Sequence, residues 1–150
     1  MPKYAVSEAA VKLLRRVKRH ILAEPKRLDM NQWVKPSRQS PCGTAACIAG
    51  WTVLLSGPEE KIAEVSKTRT LYEANEAAIG GFGVGIGERA RQLLGLTYEQ
   101  SVRLFHVKAA WVNGVWPTEF ARRYTSTKTT KAEKAKVAAE RIDHFIRTGE

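Results

Sequence analysis

Val6, Ala10, Leu13, Leu14, Val17 and Ile21 recur at three- and four-residue intervals, so a helix over about 7–23 gathers them on one side. Lys12, Arg15, Arg16 and Arg19 then fall on the opposite side, within roughly 100° of arc. Ser7 suits the N-cap and Glu8 the first turn, and Pro25 ends the helix because a residue preceding proline is pushed out of the α region. No period follows in residues 25–40, where Leu28, Met30 and Trp33 are apolar anchors. So long a connection is either packed down by those side chains or serves a site.

Between Pro41 and Leu55 no residue is charged. Ser40 as N-cap and Pro41 at the first helical position predict a central helix from Pro41 to about Leu55, stopped by Ser56-Gly57-Pro58. On that helix Thr44, Cys47, Ile48, Trp51, Leu54 and Leu55 share a face about 120° wide. Ala45, Ala46, Ala49 and Gly50 let neighbouring backbones approach.

Further on, short helices are expected at 59–65 and 71–79, separated by a turn at 66–70. The run from Gly80 to Gly87 is too rich in glycine to hold a helix, since each glycine surrenders the most backbone freedom on ordering. A helix from Glu88 to Leu94 closes at Gly95, and Thr97 with Gln100 forms a capping-box pair for the next. Pro117 opens another, with Phe120 turned inward. Thr130 and Glu133 cap the last, whose buried stripe is Ala135, Ala138, Ile142, Phe145 and Ile146. The pattern is all-α: a compact irregular bundle of at least five short helices with no strand. One domain spans 1–150, with a loop at 25–40 and a glycine-rich loop at 80–87.

Composition agrees with a core, at 43% apolar residues with four tryptophans. No apolar run reaches membrane-span length and the N-terminus lacks an apolar signal region, so a cytoplasmic protein with no membrane partner is expected. Cys42 and Cys47 are too few for a disulfide scaffold and wrongly spaced for a redox pair or zinc knuckle, leaving two free thiols. No cofactor and no metal site is indicated.

The formal net charge of +10 is unevenly spread. Residues 1–38 hold ten Lys or Arg against three acids, 39–121 seven against eight, and 122–150 eight against four. Such ends suit an anionic partner, either nucleic acid or an acidic protein. The outer stripe Lys12, Arg15, Arg16 and Arg19 and a second basic segment, Lys128, Lys131, Lys134 and Lys136, are the candidate nucleic-acid contacts. If the terminal helices pack side by side, the two merge into one track for a phosphate backbone. Trp33, Trp111 and Trp116 lie outside both stripes, so base stacking has no patterned support.

Two other functions stay open. Cys42, placed as the second residue of the central helix, would feel the helix dipole, so a cysteine-dependent hydrolase or transferase is an alternative whose base is unknown among His20, His106 and His144. A structural or inhibitory protein-binding module using exposed tryptophans is the other. Leu94-Gly95-Leu96-Thr97 also invites a helix-turn-helix reading, but Arg91 and Ser101 occupy positions that want a small and an apolar residue, so a packing hairpin fits better. The alternate glycines of 81–87 match neither the dinucleotide nor the P-loop spacing.

Pro41-Cys42-Gly43-Thr44-Ala45-Ala46-Cys47-Ile48-Ala49-Gly50-Trp51 resembles the signature of an uncharacterised family of small bacterial and phage proteins that share a PCGT-x-x-C-x-AGW core. The similarity continues through Leu94-Gly95-Leu96-Thr97, Leu104-Phe105, Trp116-Pro117 and Ala139-Glu140-Arg141-Ile142, with 109–115 as extra material. The resemblance implies a helical fold and carries no activity with it.

Overall fold

The structure, a computed structural model, describes residues 5–80, 83–108 and 115–150. Helix α1, Glu8–Ala23, starts as its sequence dictates: the Ser7 hydroxyl accepts from the Ala10 N–H at 3.2 Å, and Ala10, Leu14, Val17 and Ile21 are buried. A short 3-10 turn, Pro25–Arg27, follows. Strands β1, Val34–Pro36, and β2, Thr44–Ala46, then pair antiparallel with Val34 opposite Ala46 and Pro36 opposite Thr44.

These two strands correct the expected strand-free fold, and they lie where helix and loop were predicted. Gly43 holds φ at +74°, a left-handed value no helix interior takes, and the 37–43 turn closes with Gly43 N–H donating to the Ser40 carbonyl at 2.9 Å. The central helix α2 therefore begins at Ile48, not Pro41, and runs to Ser56. The reason is tertiary. The hydrogen bonds of 44–46 go to a segment about ten residues upstream, and alanines at 45 and 46 give no local signal of it.

Helix α2 is central nevertheless. Every residue from Ile48 to Leu54 is buried, so that stretch has no solvent face. Around it follow α3 Glu60–Ser66, α4 Leu71–Ile79, α5 Ile86–Leu94, α6 Tyr98–Phe105, α7 Thr118–Thr125 and α8 Lys131–Thr148. Helix α5 begins two residues before the expected Glu88 and takes in Gly87, and Pro117 is the N-cap of α7 rather than its first residue. The Thr97–Gln100 capping box forms as expected. The chain is helix-dominated, with eight helices and one small sheet among the described residues.

The terminal helices do pack together. Lys18 Nζ meets Asp143 at 2.7 Å across the α1–α8 seam, and Arg123 meets Glu140 at 2.6 Å between α7 and α8. Both pairs are partly exposed, so each contributes at most about 1 kcal/mol and serves more to fix orientation. Trp116 is buried, donates from Nε1 to the Leu104 carbonyl at 2.9 Å and stands edge-on to Tyr124. Arg141 is also fully buried, its Nη1 meeting His144 Nδ1 and its Nη2 donating to the carbonyls of Arg103 and Glu150. Burial and the Arg103 charge bring it down to about 10. No helix among the described residues is long and apolar enough to cross a membrane.

Candidate functional site

The segment 41–51 is accounted for by packing. Gly43 adopts its positive φ against Ser66, where a Cβ would come within 2.6 Å of the serine Cβ. Thr44 is buried and donates from Oγ1 to the Ile62 carbonyl at 3.1 Å, tying β2 to α3. Cys47 is the N-cap of α2, its Sγ accepting from the Gly50 N–H at 3.5 Å. Gly50 passes so close to the Trp33 carbonyl that a Cβ would lie 1.8 Å from its oxygen. Trp51, buried, donates from Nε1 to the Arg27 carbonyl at 2.8 Å.

Cys42 accordingly loses the preparation predicted for it. It sits in the turn ahead of β2 rather than at a helix N-terminus, where dipole and free N–H groups would have favoured a thiolate. Its sulfur is 3.3 Å from Ser40 Oγ and donates to the Thr44 carbonyl at 3.5 Å. The three histidine rings pack elsewhere: His20 against Trp51, His106 against Trp33 and His144 against Phe120. Burial lowers all three, His20 to about 4 with the help of the Arg27 and Arg16 charges. Burial also pushes the Cys47 thiol up to about 11, which disfavours its thiolate. Cys47 lines an open pocket of about 330 Å3 with Met30, Trp33 and His106. Among the described residues no three His, Cys, Asp or Glu side chains converge as a metal site.

The charged candidates divide. Lys12, Arg15, Arg16 and Arg19 are all exposed on the outer face of α1, and none has a carboxylate partner among the described residues. With Ala10, Leu14, Val17 and Ile21 buried on the opposite face of α1, the stripe is held on a fixed helix. The α8 segment does not form a matching stripe. Lys134 lies over the Tyr124 ring of α7 at 5.2 Å, whereas Asp143 of the same helix faces α1. At about 100° per residue these positions are roughly 180° apart around α8, and only Lys136 falls within about 20° of Asp143. Lys131 hydrogen-bonds Gln39, in the 37–43 turn, and Lys128 is exposed before the helix. The single merged track along α1 and α8 is thus not what the packing makes.

Of the tryptophans, Trp33 is 36% exposed, Trp51 and Trp116 are buried, and Trp111 lies outside the described residues, as does Gly81 of the glycine run. The α5–α6 pair is a hairpin closed by Gly95 at φ +62°, and five of the eight residues of α6 are buried, leaving it little surface for a groove. Arg38 and Arg69, absent from the sequence candidates, line one open groove. They sit on different loops of unremarkable composition, so no local pattern could have joined them. No family model, no curated protein and no solved structure matches the chain.

Proposed function

We propose that the protein is a small accessory protein that binds the phosphate backbone of nucleic acid through the outer face of α1, with little reading of sequence. The observation that carries this is the stripe Lys12, Arg15, Arg16 and Arg19: exposed, unpaired with any described carboxylate, and mounted on a helix whose other face is core. Over seven residues it extends about 10 Å, roughly the axial span of three phosphates of one strand. With no aromatic side chain in the stripe, contact is to phosphate and sugar, which position a protein without specifying bases.

Fluorescence anisotropy with labelled duplex DNA, single-stranded DNA and RNA over a salt series tests this. On duplex, log affinity should fall with log salt, and each replacement of Lys12, Arg15, Arg16 or Arg19 by Gln should reduce the slope by about 0.9. An acidic polypeptide as competitor separates nucleic acid from an acidic protein partner. Absence of binding at low salt, or a fourfold variant that binds like the parent, overturns the reading.

A further inference from the structure

We infer that a second phosphate-binding site lies in the groove between the 37–43 turn and the α3–α4 connection, with Arg38 and Arg69 as its cationic walls. The groove has a volume of about 590 Å3 and is lined by Pro36, Ser37, Arg38 and Gly43 on one side and Ser66, Thr68 and Arg69 on the other. It is separate from the outer face of α1 and does not rest on that face binding anything.

The two walls are held at a fixed spacing. Gly43 abuts Ser66 so closely that a Cβ would have to displace it, and Thr44 of the same strand is bonded to the Ile62 carbonyl of α3. The turn itself is braced by Ser37 N–H donating to the Gly43 carbonyl at 2.8 Å. Arg38 and Arg69 are therefore brought together by the β1–β2 pair docking on α3, not by local sequence.

The chemistry of the lining selects an anion. Neither guanidinium has a carboxylate or hydrogen-bond partner among the described residues, and the Ser37 hydroxyl has none either. The C-terminal carbonyls of α3 would ordinarily repel an anion here. Three of the last four already accept: Ser66 Oγ donates to the Ala63 carbonyl, the Lys67 N–H to that of Glu64, and Thr68 Oγ1 and N–H to that of Val65. A carboxylate stands near, since Glu73 Oε2 accepts from the Arg69 backbone N–H at 2.9 Å.

Shape then narrows the ligand to a chain of phosphates. The groove exceeds a single phosphate ion in volume, has no aromatic wall for a base and is open rather than enclosed. Guanidinium pairs are the side chains best matched to phosphate oxygens. Gln39, next to Arg38, receives a hydrogen bond from Lys131, so the basic start of α8 adjoins this groove instead of the α1 stripe. A strand lying in the groove would continue toward Lys131.

The test is made in the variant whose Lys12, Arg15, Arg16 and Arg19 are already Gln, so that the two sites fail independently. In that background Arg38→Gln with Arg69→Gln should lower the remaining duplex salt slope by about 1.8, with circular dichroism unchanged. Glu73→Gln should tighten duplex binding by removing the negative charge held at the Arg69 backbone N–H. Sodium pyrophosphate, titrated by NMR against Gly43, Thr68 and Arg69 amides, is the second arm. Saturable shifts lost in the double variant, without a change toward duplex, identify a small phosphate ligand and support the site. If neither arm distinguishes the double variant from its parent, no phosphate site exists there.

Discussion

The His20 imidazole stands against the Trp51 indole with ring centroids 4.1 Å apart and planes at 62°. Burial, then the charges of Arg27 and Arg16, lower His20 from 6.5 to about 4. The unfolded chain therefore takes up a proton that the folded protein refuses, so the contribution is whole above about pH 6.5 and is lost as pH falls toward 4. Allowing for the ring's partial exposure, the loss is on the order of 1–2 kcal/mol. His106 and His144, both lowered first by burial, act in the same direction. Urea melts between pH 7.5 and 4 should show the decline, and His20→Phe should flatten it; a variant curve parallel to the parent's would exclude His20 as a source.

The cysteines differ in a way that one labelling experiment separates. Cys42 is partly exposed in its turn, whereas Cys47 is 2% exposed, caps α2 and is pushed up to about 11 by burial. Iodoacetamide at pH 8 should modify Cys42 alone in the native protein and both thiols in denaturant, read as mass increments. Labelling of Cys47 under native conditions would contradict its place in the core. A rate at Cys42 well above that of a free thiol would revive the nucleophile reading despite the missing helix N-terminus.

How far the sequence could be read depended on whether a feature was local. The α1 stripe spans about two turns of one helix, the Thr97–Gln100 box and the Thr130 cap one turn each, and each forms where the residues place it. Ser40-Pro41 carried an equally local helix signal and failed, because 44–46 pairs with 34–36 and Gly43 takes a left-handed φ. Nothing at Ala45 or Ala46 announces a strand. The candidate site divides in the same manner: the α1 cations form a surface by periodicity alone, but their supposed continuation onto α8 depended on helix rotation. Lys134 turns to Tyr124, and Lys131 reaches Gln39 instead.

Gly50 offers the sharpest test of how the 41–51 segment is held. A Cβ there would meet the Trp33 carbonyl oxygen at 1.8 Å and the Ala46 Cβ at 2.8 Å. The Trp33 peptide cannot retreat, because Cys47 N–H donates to the neighbouring Gln32 carbonyl at 3.0 Å and Val34 is paired with Ala46. Gly50→Ala should therefore cost about 3 kcal/mol or more, lowering Tm by roughly 6–12 °C in a chain of this size. At Gly87 the obstacle is the rim of the Trp33 indole at 2.9 Å, a partly exposed side chain able to shift, and alanine's better helix propensity offsets part of the strain. Gly57 is unobstructed, its nearest neighbour at 3.7 Å and its φ at −102°, so alanine there should be neutral or stabilising by up to about 1 kcal/mol through the unfolded chain. Thermal melts should rank Gly50→Ala lowest, Gly87→Ala between and Gly57→Ala at or above the parent. If Gly50→Ala melts with Gly57→Ala, the close approach of α2 to the Trp33 backbone is wrong, and the packing account of the whole segment falls with it.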